Sequence, residues 1–201
     1  MIVVDVETSG LDPDAHSILS IGAVEFGRPD NQFYVECQVD PDAQVSPEAL
    51  AINGFTEEQI VDPKKPTLQE AVKQWLDWTA EIADRTLAGH NTWFDYGMLE
   101  AACRKYDLGW PFGKRLVDLH VLAYCHYLSR GEQPPLYGGS SGVTTDTVHT
   151  YVGLETEPKP HNGLVGAKME AEALNRFIYG KNLLNEYAMF PLPDYLLREK
   201  G

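Results

Sequence analysis

Near its N-terminus the chain places two carboxylates inside a β-branched apolar run, Ile2-Val3-Val4-Asp5-Val6-Glu7. Such a run fits a buried strand. On a strand, residues two apart leave the same face, so Asp5 and Glu7 point together. Like charges at that spacing repel and cost sheet stability unless a cation lies between them. Hard oxygen ligands at the end of a buried strand suit Mg²⁺ or Mn²⁺. Taken alone, the pair fits equally well a strand end entering a polar turn.

Further strands are predicted over Ile18–Phe26 and Gln32–Val39, with a turn at Gly27-Arg28-Pro29-Asp30-Asn31 between them. Three strands joined this closely imply an opening antiparallel meander. Short helices are expected from Ser46-Pro47-Glu48 and from Thr56-Glu57-Glu58. Thr67-Leu68-Gln69-Glu70 matches a capping box. Behind it Leu68, Ala71, Val72, Trp75, Leu76, Thr79, Ile82 and Ala83 follow helical spacing. Arg85–Gly89 reads as a strand, and Phe94–Tyr106, Val117–Leu128, Thr144–Val152 and Leu164–Tyr179 read as helices. The Gly-, Pro- and Ser-rich segment 129–143 reads as a loop. The order suits a mixed α/β sheet flanked by helices. A length of 201 residues suits one domain, 1–201.

Sixteen basic and thirty acidic residues give a net charge of −14. Such a surface repels polyanions at long range and argues against coating long duplexes. It leaves room for a nucleic-acid enzyme, because bound divalent cations reverse the local field. Cys37, Cys103 and Cys125 are odd in number and widely spaced, which fits a reducing compartment better than a disulfide framework. With neither a leader-like segment nor 18 consecutive apolar residues, the expected location is cytoplasmic, with no membrane partner. The spacing of His90, His120, Cys125 and His126 fits no structural zinc pattern. Trp75, Trp78 and Trp110 read as core. Trp93, between Asn91 and Asp95, is the one tryptophan placed to face a cleft.

Three separated segments carry more information together. The first is Val4-Asp5-Val6-Glu7-Thr8-Ser9-Gly10-Leu11, followed by Ser20-Ile21-Gly22-Ala23-Val24. The second is Leu87-Ala88-Gly89-His90-Asn91 with Phe94-Asp95. The third is Pro158-Lys159-Pro160-His161-Asn162-Gly163-Leu164-Val165-Gly166-Ala167. In order and spacing they resemble the DEDDh 3′→5′ exonucleases, and most of all the proofreading exonucleases of bacterial DNA polymerase III and their free-standing relatives. The resemblance spans roughly residues 2–180.

The resemblance implies a ribonuclease H-like fold. It implies two Mg²⁺ or Mn²⁺ ions about 4 Å apart clamping a phosphate. Asp5, Glu7 and Asp95 would be the metal ligands. His161 would be the general base that takes a proton from the attacking water. Thr8 and Leu11 would line the pocket for the terminal nucleotide, with Asn91 supporting it. The implied reaction is hydrolysis of single-stranded DNA or RNA 3′ ends to nucleoside 5′-monophosphates, as in proofreading or repair. A polymerase or other subunit is a possible partner. Lys114, Arg115, Arg130, Lys159 and Lys168 are candidates for a basic rim.

Position 166 departs from the family pattern, which has Asp there. Gly166 offers no carboxylate, so the first ion should be held less tightly and activity reduced. Gly163 and Gly166 should also weaken their helix start by about 1 kcal/mol each relative to alanine. Glu170, one turn deeper, would reach the site only through rearrangement of that turn. Restoring the acid (Gly166→Asp) would then raise metal-dependent release of mononucleotides by at least about tenfold. The alternative function is a catalytically inactive module of the same fold that binds nucleic-acid ends or a partner protein.

Overall fold

A computed structural model describes residues 1–197; the last four residues of the expected 1–201 domain lie outside the described residues. β1 (Ile2–Thr8), β2 (Ile18–Glu25) and β3 (Gln32–Glu36) form the expected antiparallel meander. β4 (Leu87–Gly89) pairs parallel to the other edge of β1, and β5 (Val117–Asp118) pairs parallel to β4. The order β3-β2-β1-β4-β5 puts β1 in the middle of a mixed sheet. This is the ribonuclease H-like α/β arrangement expected from the sequence.

Helices cover both faces. α1 (Pro47–Asn53), α2 (Glu57–Ile60) and α3 (Leu68–Ala80) lie in sequence between β3 and β4, and α4 (Trp93–Lys105) follows β4. α5 (Leu119–Ser129), the hairpin β6 (Leu136–Tyr137) and β7 (Ser140–Ser141), α6 (Thr145–Tyr151) and α7 (Gly163–Tyr179) complete the set. Alternation along β1 sends Ile2, Val4 and Val6 into one core with Trp75 of α3 and Leu99 of α4. Val3 joins the other, with Leu119 of α5, Val148 of α6 and Leu174 of α7. Asp5 and Glu7 share the face of Val3, so both carboxylates point towards α7.

The Thr67–Glu70 capping box forms, with both reciprocal hydrogen bonds present. Elsewhere the boundaries shift for local reasons. The expected helix from Val117 begins two residues late, because Val117-Asp118 pairs with β4 and the Asp118 side chain then accepts the His120 N–H at 2.8 Å, starting α5. A two-residue, half-buried strand leaves no periodic trace that separates it from a helix. β3 ends at Glu36 rather than Val39, since the Gln38 and Val39 N–H groups donate to Pro66 and Ile60 carbonyls instead of the sheet. The 129–143 loop contains the exposed β6/β7 hairpin.

The start of α7 lies directly on the backbone of β1 and β2. A Cβ on Gly22 would fall 2.0 Å from the Gly163 carbonyl carbon, and one on Gly163 would fall 2.7 Å from the Asp5 carbonyl oxygen. The expectation that Gly163 only weakens this helix start is therefore corrected. Glycine permits an approach that any side chain would block. Asn162 recovers part of the cost, its side chain accepting the Leu164 and Val165 N–H groups at 3.1 and 3.2 Å.

Gly22→Ala is expected to destabilise the fold by about 1–3 kcal/mol, because both clashing partners are backbone. Gly97→Ala on α4, where an added Cβ meets nothing within 4 Å, should be neutral or stabilising by up to about 1 kcal/mol. Urea unfolding of the two variants checks the contrast.

Candidate active site

The C-terminal end of β1 opens into a cleft of about 730 Å³. Asp5, Glu7, Thr8 and Leu11 line it from β1 and the turn that follows; Glu157 and His161 line it from the loop before α7, and Glu170 from α7 itself. Asp95, in the first turn of α4, is buried behind Val6 and accepts its backbone N–H at 3.0 Å. Thr8 is buried with its carbonyl held by the Asn53 amide at 3.0 Å, whereas Leu11 is 81% exposed at the mouth. The structure thus gathers Asp5, Glu7, Thr8, Leu11, Asp95 and His161.

His161 is positioned from both sides. Its backbone N–H reaches the Ile52 carbonyl of α1 at 3.3 Å, and the next residue, Asn162, donates from its amide to the Tyr34 hydroxyl of β3 at 2.8 Å. Its Nδ1 faces Glu157 Oε2 at 3.6 Å, and its side chain is 29% exposed. Among the described residues, Glu7, Glu157 and His161 form the group of metal-ligating side chains whose atoms lie within 4.8 Å of one another.

Several expectations are corrected. Asn91 is exposed and does not line the cleft; with φ 53° it makes the left-handed turn between β4 and α4. Trp93 is 67% exposed outside the cleft, and Phe94 takes the lining position instead. None of Lys114, Arg115, Arg130, Lys159 and Lys168 lines it. Arg130 is engaged by Glu132 and the Tyr195 ring, and Lys168 by Glu186. Glu170 needs no rearrangement of α7. The helix lies so close to β1 that a residue one turn on still points into the cleft, and its carboxylate sits 2.9 Å from where a Gly89 Cβ would be. Glu157 was not anticipated; it stands immediately before the Pro158-Lys159-Pro160-His161 motif, in a loop with no periodicity to mark it.

Six carboxylates line the cleft (Asp5, Glu7, Glu48, Asp146, Glu157 and Glu170), Asp95 is buried just behind it, and no Lys or Arg is on its wall among the described residues. Burial, then the charges of Glu170, Asp95, Glu7 and Glu157, push the Asp5 carboxyl well above its usual range. Burial and the Glu157 charge push Glu7 up to about 7. Burial pushes Asp95 up to about 8 against the opposing Val6 N–H bond. Glu170 is raised well above its usual range by burial and then by Asp95. Its Oε2 is buried with no hydrogen-bond partner, a costly state for an oxygen ligand without a cation. Hard oxygen ligands at this density suit divalent cations.

The family model for exonucleases of the RNase T type matches residues 2–174. The chain belongs to this exonuclease family. It is 32% identical over 115 residues to DNA polymerase III subunit epsilon of Pasteurella multocida, covering 53% of this chain and 43% of that one. It is 35% identical over 107 residues to the Escherichia coli subunit epsilon, covering 49% and 41%. The chain thus spans less than half the length of these curated relatives. Among solved structures, it resembles the nuclease domain of 3′hExo, a DEDDh family member bound to rAMP, with TM-score 0.68, 18% identity and coverage of 92% and 94%. It also resembles E. coli exonuclease I in complex with a dT13 oligonucleotide, with TM-score 0.69, 17% identity and coverage of 89% and 41%. These structures share the fold, and the DEDDh resemblance drawn from the three motifs agrees with them.

Stability should depend on pH in a direction the crowded acids set. A carboxyl raised on folding binds its proton more tightly in the native state, so its contribution is full below the unfolded value near 4 and is lost as pH rises through the folded value. Buried His90 and His149, both lowered to about 4 chiefly by burial, act oppositely and destabilise as pH falls below about 6.5. Above that pH the carboxyls remain. In chelator, the melting temperature should fall between pH 6.5 and 9, and millimolar Mg²⁺ should flatten that fall. A flat profile in chelator would contradict this electrostatic picture.

Proposed function

We propose that this chain is a metal-dependent 3′→5′ exonuclease releasing nucleoside 5′-monophosphates from single-stranded DNA or RNA ends. The observation that carries the reading is the convergence of Asp5, Glu7 and Asp95, from two elements of the sheet–helix junction, with His161 on the open side of one cleft. Divalent cations held by these acids would supply the positive charge against which a phosphodiester is cleaved. His161 accepts a proton from the attacking water at Nε2, since Nδ1 is turned to Glu157. Leu11, apolar and exposed at the mouth, offers a surface for the terminal base, and Thr8 shapes the floor beneath it. A cleft with no Lys or Arg among its described lining residues favours short or single-stranded ends over duplex, or delivery by a polymerase or other subunit. Mg²⁺ and Mn²⁺ are the expected ions, and proofreading or repair the expected setting. Three unpaired cysteines suit a cytoplasmic location.

A second reading is an inactive module that binds ends or a partner, and Gly166 is the observation that favours it. A 5′-labelled single strand incubated with Mn²⁺ separates the two. The exonuclease reading expects stepwise shortening from the 3′ end, abolished by Asp5→Asn and slowed about 10²–10⁴-fold by His161→Ala. Binding of the strand without shortening supports the inactive module.

A further inference from the structure

Gly166 leaves the family's fourth acid missing from α7, yet the space beside it is already filled with carboxylate. An ideal Cβ at 166 would lie 1.9 Å from Asp5 Oδ2 and 3.4 Å from Glu157 Oε1. Asp5 leans into the gap, and Glu157 reaches its edge from the preceding loop. Glu157 is buried, with 9% of its surface exposed. The Asn162 N–H contact to Oε1 is long at 3.4 Å, and Oε2 is 3.6 Å from His161 Nδ1. Both oxygens are therefore held loosely, with Glu7 and His161 atoms in reach of one cation.

Resting on the proposed exonuclease reading, the geometry points to Glu157 as the ligand that replaces the absent acid: Asp5, Glu7 and Glu157 form the first cation site, supplied by the loop before α7 rather than by α7. Glu170 is the independent sign that cations belong here. Its side chain is 5% exposed, lines the same cleft, and carries a buried oxygen with no partner. Its Oε2 lies beside Gly89, where β4 adjoins the Val4 carbonyl of β1 one residue before Asp5. The rival role for Glu157 is to orient His161 through Nδ1. At 3.6 Å that contact is longer than a hydrogen bond, which favours the ligand role.

Gly166 is then part of the arrangement. A side chain there would displace Asp5, and a carboxylate there would be a further anion beside Glu157. The sequence-based expectation that Gly166→Asp raises activity is replaced: on the native background the substitution should give no gain in Mn²⁺ affinity.

Mn²⁺ calorimetry on the full chain tests the assignment, with oligonucleotide shortening measured in parallel. Glu157→Gln should weaken one Mn²⁺ binding event by about 10–100-fold or more and should raise the metal-free melting temperature by removing a repelling charge. Glu157→Asp, which keeps the charge but shortens the reach, should weaken the same event. Glu155→Gln, two residues away and exposed, should change neither. Native-like Mn²⁺ affinity in Glu157→Gln would overturn the assignment, and overturn it in favour of a positioning role if the pH profile of cleavage shifts. Cleavage by the unaltered chain keeps the exonuclease reading whatever Glu157 does. Tight Mn²⁺ binding without cleavage sinks that reading and leaves the ligand assignment to the calorimetry.

Discussion

The first turn of α7 rests on β1 and β2 with no side chain between the backbones. That contact places the helix about as near the sheet as a helix can come. It decides what the carboxylates of β1 meet: a helix start lies over the half-buried Asp5, and the cleft opens beside it and Glu7. The same closeness brings Glu170, a turn further on, back towards Asp5 and Gly89. A helix a few ångströms higher would leave Asp5 solvated and Glu170 outside the cleft.

The electrostatic consequence is a strained resting state. Buried acids repel one another and hold protons well above the pH at which free carboxyls lose them. The surrounding fold opposes this with ordinary means: β1 is paired on both edges, and two cores with Trp75 and Leu174 at 0% exposure grip it from either side. Stability stored in the cores sustains a cleft of mutually repelling acids, as functional sites commonly require. The wider surface, at −14, adds nothing to attract a polyanion. On the proposed exonuclease reading, capture of a strand depends on cations, on apolar contacts such as Leu11, or on another chain.

What could be read from the sequence follows the strength of the local signal. The meander was legible because β-branched runs and a Gly-Pro-Asn turn agree. The α3 start was legible because Thr67 and Glu70 satisfy each other. Asp5, Glu7, Asp95 and His161 were legible because each sits within a motif. Strand β5 was not, since two residues of sheet look like the first turn of the helix they precede. Asn91, which the resemblance implies as a support of the pocket, instead makes a left-handed turn at φ 53° and is exposed. Glu157 was passed over because a lone acid in a Pro-rich loop has no pattern. Only the fold shows that the loop returns to β1.

Position 166 shows why a missing motif residue is a weak guide to missing chemistry. The chain does not leave a hole where the family has an acid. Asp5 occupies the space over Gly166, Glu157 stands at its edge, and Glu170 closes the far side. Two acids, one from a strand and one from a loop, adjoin a position whose own residue contributes nothing, and a third lies a turn further along the helix. Since charge and reach, rather than the backbone from which a carboxylate hangs, govern cation binding, the glycine reads as the space that the neighbouring carboxylates need. An aspartate at 166 and the observed Asp5 conformer cannot coexist at 1.9 Å, so the two arrangements are alternatives, and this sequence is built for the one with glycine.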